Sequence, residues 1–179
     1  MDRVRDCSGV YWIQDLDSTL VLGRKMWMAK PMKQELDLPE IICLHDGETR
    51  AALVLWTGTW LPAELNPIYA DAINALRAQG RTVIQTSNFQ GDGGLRTVRM
   101  LFRAVLDRAE KRGALDIVTV VSPDSAREYQ VLLFEDMIPG DNPRVWDLAR
   151  RPDGTFLPTR LIRLAIDAIP PEKMSRFFA

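Results

Sequence analysis

The residues best suited to chemistry fall into three groups, and each would serve a different reaction. Gln90-Gly91-Asp92-Gly93-Gly94 stands between an apolar run ending at Ser87 and an amphipathic segment opening at Leu95. A glycine-rich turn entering a helix offers free backbone N–H groups and the positive end of the helix dipole to an anion, typically a phosphate. Gly93 and Gly94 would let such a ligand come close to the main chain. The second group, Asp15-Leu16-Asp17-Ser18-Thr19, follows another apolar run. Its Asp17 or Ser18 could cap a following helix. The third, Ser122-Pro123-Asp124-Ser125 followed by Tyr129, comes directly after the apolar stretch ending at Val121. Taken alone, Tyr129 reads equally well as a packed tyrosine.

Other chemistries are poorly supplied. Two cysteines, Cys7 and Cys43, and one histidine are too few ligands for a zinc site, so no metal is expected. His45, beside Asp46-Gly47, reads as an exposed hairpin residue. The net charge of -1, from 23 basic and 24 acidic residues, leaves no basic face for nucleic acid. No run approaches the roughly 18 apolar residues of a membrane span, and the charged start of the chain lacks an apolar stretch behind it. A cytoplasmic protein is therefore expected. With 179 residues, 46% of them hydrophobic, residues 1–179 are expected to form one domain with a full core.

The elements that must position these groups alternate in type. Gly9 to Gln14 reads as a strand, and Leu20 to Leu36 as a helix broken at Pro31. Glu40 to Leu44 and Ala51 to Trp56 flank Asp46-Gly47, a hairpin signal. After a loop from Thr57 to Pro67, Tyr69, Ala72, Ile73 and Leu76 fall at helical spacing, with Gly80 as the stop. Arg81 to Ser87 follows as a strand. Leu95, Val98, Leu101, Phe102, Val105, Leu106 and Ala109 form one apolar helical stripe, closed by Gly113. Ile117 to Val121 reads as a buried strand. A helix from Asp124 to Leu133 and strands near Phe134 to Ile138 and Arg160 to Asp167 complete the pattern, with a loop from Pro139 to Pro158.

The series from Leu61 to about Met137, and more loosely to Asp167, resembles the GCN5-related N-acyltransferase superfamily, and more closely its branch of N-acyl amino acid synthases, which is related to autoinducer synthases. In that branch a segment Leu-Arg-x-x-Gly-Arg-x-x-Glu-x-Ser-Arg-Leu precedes the acyl-carrier loop. Its counterpart is Leu76-Arg77-Ala78-Gln79-Gly80-Arg81-Thr82-Val83-Ile84-Gln85-Thr86-Ser87-Asn88-Phe89. Val121-Ser122-Pro123-Asp124-Ser125-Ala126-Arg127-Glu128-Tyr129 is similar to the branch's Val-Asn-Pro-x-His-x-x-Phe-Tyr. Phe134 stands where its Gly-Phe ends. The departures are Gln85 for Glu, Asn88 for Arg, Ser122 for Asn, Ser125 for His and Leu133 for Gly. The superfamily's phosphate loop, Gln/Arg-x-x-Gly-x-Gly/Ala, is met only at Gln90 and Gly93.

The resemblance implies a mixed α/β fold with a largely antiparallel, centrally splayed sheet of six or seven strands flanked by helices. It also implies an N-acyltransferase moving an acyl group from acyl-CoA or an acyl carrier protein to a primary amine, possibly of an amino acid. Thr86, Ser87, Asn88, Phe89, Gln90, Gly91, Gly93, Gly94 and Leu95 would hold the thioester, with backbone N–H groups near Thr86 to Phe89 polarising its carbonyl. Gln85 and Ser125 would face the acceptor. Tyr129 would protonate the departing thiolate as general acid. The base is open among Glu64, Asp71 and a water. Trp56 and Trp60 could line an acyl tunnel. Two rivals stand beside this. Asp15-x-Asp17-x-Thr19 resembles the first motif of haloacid-dehalogenase-type phosphatases, which implies Asp15 as nucleophile towards phosphate, Asp17 as general acid/base and both as magnesium ligands, without a convincing final acidic motif; an all-parallel doubly wound sheet would refute the acyltransferase fold. The substitutions at Gln85, Ser125 and Leu133 suit a binding protein that has lost catalysis.

Overall fold

A computed structural model describes residues 3–6, 40–46, 48–91, 95–138 and 158–178. Their strands form one seven-stranded sheet: β1 (Arg3–Asp6), β2 (Glu40–Asp46), β3 (Glu48–Trp56), β4 (Val83–Gly91), β5 (Asp116–Val121), β6 (Glu135–Asp136) and β7 (Arg160–Ala165), in the spatial order β1-β2-β3-β4-β5-β7-β6. Every pairing is antiparallel except β4 with β5. The mixed, largely antiparallel sheet is thus as the resemblance implies, and it is not the all-parallel sheet that would have refuted it. Asp15 and Asp17, with the expected Gly9–Gln14 strand and the Leu20–Leu36 helix, lie outside the described residues.

Period-two alternation sends side chains to two separate cores. On one face Leu53, Leu55, Ile84, Ile117 and Ile162 pack with Leu101, Phe102 and Val105 of α2 (Leu95–Lys111). That helix is the crossover that a parallel pair requires, because β4 and β5 cannot be joined by a tight turn. On the other face Val54, Trp56, Val83 and Val118 meet Tyr69, Ile73 and Leu76 of α1 (Pro67–Ala78). Asn66 caps α1, its side chain accepting from the Ile68 amide at 3.1 Å, and Pro67 opens it where a missing N–H costs nothing. Gly80 and Gly113 end α1 and α2 at φ values of 76° and 64°, the left-handed conformation that a helix stop uses.

Several element boundaries differ from those expected. β4 runs on past Ser87 to Gly91. The expected Asp124–Leu133 helix is α3 (Pro123–Tyr129) followed by a 3-10 turn at Gln130–Leu132. Phe134 is buried beside the short β6 rather than within a strand. Residues Ile166–Ala168 form a 3-10 turn, and α4 (Pro171–Phe178) and β1 were not expected.

Leu133 adopts φ 67°, in the left-handed region, at the position where the resembling branch has glycine. A side chain there costs roughly 1–2 kcal/mol, offset in part by the packing of the half-buried Leu133 against the core. Leu133→Gly is therefore expected to change stability by less than about 1 kcal/mol, relief and lost burial opposing each other. Leu132→Ala, at a site 2% exposed, is expected to cost about 2–5 kcal/mol. Chemical denaturation of the two variants checks the contrast.

Candidate functional site

β4 and β5 are paired only from Val83↔Asp116 to Thr86↔Thr119. Past that point β4 continues with β3 alone, pairing Gln90 and Gly91 with Ala52 and Ala51. Val120 and Val121 pair with β7. The register of β3 with β4 slips between Ala52 and Val54, so Asn88 and Phe89 together oppose Leu53. Such a bulge adds one residue to β4 and bends it away from its neighbour. The β5-facing edge of Ser87–Gly91 consequently carries no ladder partner among the described residues.

A cleft of about 710 Å³ opens where the strands part. Consecutive residues of each strand line it, Thr86 and Ser87 from β4, and Thr119, Val120 and Val121 from β5. Because successive strand side chains point to opposite faces, the cleft reaches into the gap between the strands. Val98 and Phe102 of α2 and Ser125, Glu128 and Tyr129 of α3 form another wall. Ser122 caps α3: its hydroxyl oxygen accepts from the Ser125 amide at 3.2 Å and donates to the Ser125 hydroxyl at 3.1 Å.

Tyr129 is held by ring packing. Its ring meets Phe102 and Phe134 edge-on, with centroids 5.7 and 5.3 Å away, and those two rings pack edge-on 5.4 Å apart. T-shaped aromatic contacts of this kind fix ring orientation as well as burying area. Its hydroxyl has no hydrogen bond among the described residues. Burial, with a smaller contribution from the Glu128 charge, pushes the phenol up to about 12, so it keeps its proton through neutral pH.

Of the residues nominated from sequence, Thr86, Ser87, Phe89, Ser125 and Tyr129 share this cleft. Asn88, Gln90 and Gly91 lie on β4, and Leu95 begins α2. Gly93 and Gly94 lie outside the described residues, and Gln90 and Gly91 are strand residues rather than loop. Gln85 is not on the cleft. It is 0% exposed, and its carbonyl accepts the Ala63 amide at 2.8 Å, tying the segment before α1 to β4. The bases considered fare similarly. Glu64 is engaged by the Leu61 amide at 2.6 Å and by two Arg77 nitrogens at 2.7 and 3.1 Å. Asp71 is exposed on α1. Trp56 is buried with its indole N–H on the Ser87 hydroxyl oxygen at 2.7 Å, and neither it nor Trp60 lines the cleft. Thr119, Glu128 and Val131 were missed. The β4–β5 pairing that places Thr119 beside Thr86 has no local sequence signal.

Restoring the carboxylate at position 85 would bury a charge with one donor. Gln85→Glu is expected to lose about 1–3 kcal/mol of stability at pH 7. Burial raises such a carboxyl's pKa in the folded state, so part of the loss should return as pH falls. Denaturant midpoints at two pH values check this.

At the opposite end of the β4–β5 pair lies an ionic cluster. Asp116, 0% exposed, accepts from Arg81 at 2.5 and 3.2 Å and from Arg163 at 2.6 Å. Arg81 also donates to Asp167 at 2.6 and 3.0 Å. Hydrogen bonds to Asp167 and Asp116 hold the Arg81 guanidinium still further above its ordinary value, and the Arg81 hydrogen bond lowers the Asp167 carboxyl. Among the described residues, no group of three His, Cys, Asp or Glu side chains could hold a metal, and no helix is long and apolar enough to cross a membrane.

No family model matches the sequence, and no curated protein matches it significantly. Solved structures do match. FeeM, an N-acyl amino acid synthase from uncultured soil microbes, is 17% identical over 94% of this chain and 92% of its own, with a TM-score of 0.66. TofI, in a ternary complex with an inhibitor and MTA, is 16% identical with a TM-score of 0.58 over 94% of this chain and 92% of its own. The yncA protein of Salmonella typhimurium, solved with its cofactor acetyl-CoA, is 14% identical with a TM-score of 0.57 over 94% and 95%. Together with a mixed sheet whose parallel pair splays around a cleft, these likenesses give the chain the fold of the GCN5-related N-acyltransferases.

Proposed function

We propose that residues 1–179 form one N-acyltransferase domain moving an acyl group from a thioester, acyl-CoA or acyl carrier protein, to a primary amine, with amino acids as the acceptor class to try first. The observation that carries this reading is the cleft at the β4–β5 divergence, walled by a protonated Tyr129 whose hydroxyl has no hydrogen bond among the described residues. The apolar walls from Leu53, Phe89, Val98 and Phe102 suit an acyl chain. The edge of Ser87–Gly91, without a β5 ladder partner among the described residues, suits a ligand that needs main-chain donors, and the first turn of α2, as in any α-helix, carries N–H groups with no intrahelical partner that suit a phosphate.

The thioester supplies an activated carbonyl and a thiolate leaving group. The residues of this chain supply position and one proton. Main-chain N–H groups on the parted edge of β4 polarise the carbonyl oxygen. Tyr129 holds its proton within the cleft and delivers it to sulfur. With Gln85 buried in a structural bond and Glu64 in an ion pair, water carrying away the amine's proton is the base that fits best. The cytoplasm, where such thioesters are made, is the compartment this reading favours.

Incubating the protein with acetyl-, octanoyl- and palmitoyl-CoA and a mixture of amino acids, with mass spectrometry of the products, tests the reading. An N-acyl amino acid supports it. Thermal stabilisation by a thioester without product would instead favour a binding protein, and the absence of both product and stabilisation would sink both readings.

A further inference from the structure

Among the described residues the hydroxyl of Thr86 is a buried polar group without a partner. Thr86 is 3% exposed, its Oγ1 meets no hydrogen-bonding atom of those residues, and it lines the cleft at the last rung on which β4 and β5 still pair. An orphaned buried hydroxyl destabilises a fold and calls for an explanation, which a partner present at another time supplies. Its neighbours on the cleft supply none. Ser87 is already engaged as acceptor by the Trp56 indole, and Leu53, Phe89 and Phe102 are apolar. Thr119 is its rung partner on β5, yet no hydrogen bond joins the two side chains.

We infer that Thr86 is a side-chain hydrogen-bond donor to the carbonyl oxygen of the bound acyl thioester, acting beside the main-chain amides of the parted strand. This rests on the acyl-thioester reading above and deepens it. The position follows from the architecture. A carbonyl seated where β4 loses its β5 partner has Thr86 directly beneath it, while the apolar walls take the chain beyond. No covalent step is assigned to Thr86. The hydroxyl donates to oxygen, more strongly as negative charge grows there, and keeps its proton throughout.

Thr86→Val keeps the β-branched shape and removes the hydroxyl. Loss of an orphan should raise the melting temperature by about 2–4 °C, while loss of a donor should lower turnover by about 10²-fold. Binding separates the two roles without requiring an acceptor. Calorimetry would compare octanoyl-CoA with S-octyl-CoA, the thioether that lacks the carbonyl. The wild-type protein is expected to prefer octanoyl-CoA, and Thr86→Val to lose roughly fivefold of that preference, the remainder being held by the main-chain amides. A variant that keeps the full preference, or that melts lower than wild type, overturns the inference and leaves the acyltransferase reading standing. If the wild-type protein binds neither compound, that reading fails and this one with it.

Discussion

Replacing Tyr129 with phenylalanine is expected to lower turnover by about 10²- to 10³-fold on the proposed reaction, with thioester affinity changed less than about twofold. The expectation follows from what the substitution leaves alone. The ring that packs between Phe102 and Phe134 is retained, and the hydroxyl removed has no hydrogen bond among the described residues. The fold should therefore be as stable as wild type or slightly more so. What disappears is a proton held in the cleft by a phenol raised to about 12. The pH dependence has a definite sign. Below about pH 10 the tyrosine is neutral in both the folded and the unfolded chain, and it contributes no slope. As pH rises from about 10 towards 12, the unfolded chain gives up its proton first, so stability falls across that window in the wild type and less in the variant. Tyrosinate absorbance and denaturation at alkaline pH read this, and turnover is read separately at neutral pH. Unchanged turnover in Tyr129→Phe would remove the residue from the mechanism.

Replacing Asp116 with asparagine should have the largest effect on stability, about 3–5 kcal/mol, with a fall in melting temperature of roughly 10 °C. Asp116 is fully buried and is the shared acceptor for Arg81 and Arg163, which reach it from the turn before β4 and from β7. Without its charge, Arg81 keeps the more exposed Asp167 as its one ionic partner among the described residues, and the Arg163 bond to position 116 loses its ionic character. The cost comes mainly from leaving guanidinium groups desolvated without a counter-charge, more than from the value of the pair itself. Arg163→Ala removes one donor and leaves Arg81 in place, so it should cost clearly less than Asp116→Asn. Equal losses would show that the cluster has no central acceptor. The consequence reaches the site, because the cluster pins the paired end of β4 and β5 from which the strands diverge.

The parts of this molecule that could be read from sequence are those set by local physics. The α2 stripe from Val98 to Ala109, the stops at Gly80 and Gly113, the antiparallel β2–β3 pair ending at Asp46↔Glu48 and the strand at Ile117–Val121 all follow from periodicity and backbone preference. The ordered series around them resembled one superfamily, and the sheet has its topology. Local readings failed where a tertiary partner decides. β4 extends to Gly91 because β3 offers Ala51 and Ala52 as partners across a bulge, which the glycine at position 91 does not announce. Leu133 sits in a glycine conformation because packing holds it there.

The same division runs through the site. Sequence alone determined the residue types along β4 and α3, and hence that Thr86, Ser87, Ser125 and Tyr129 were available. Only the tertiary structure decided which of them meet. Gln85 and Thr86 are adjacent in the chain, yet alternation across the sheet sends one into a structural bond with Ala63 and the other to the cleft. Whether a polar side chain serves the fold or faces a ligand depends on the partners that long-range pairing brings to it. A one-residue step along a strand is enough to exchange those fates.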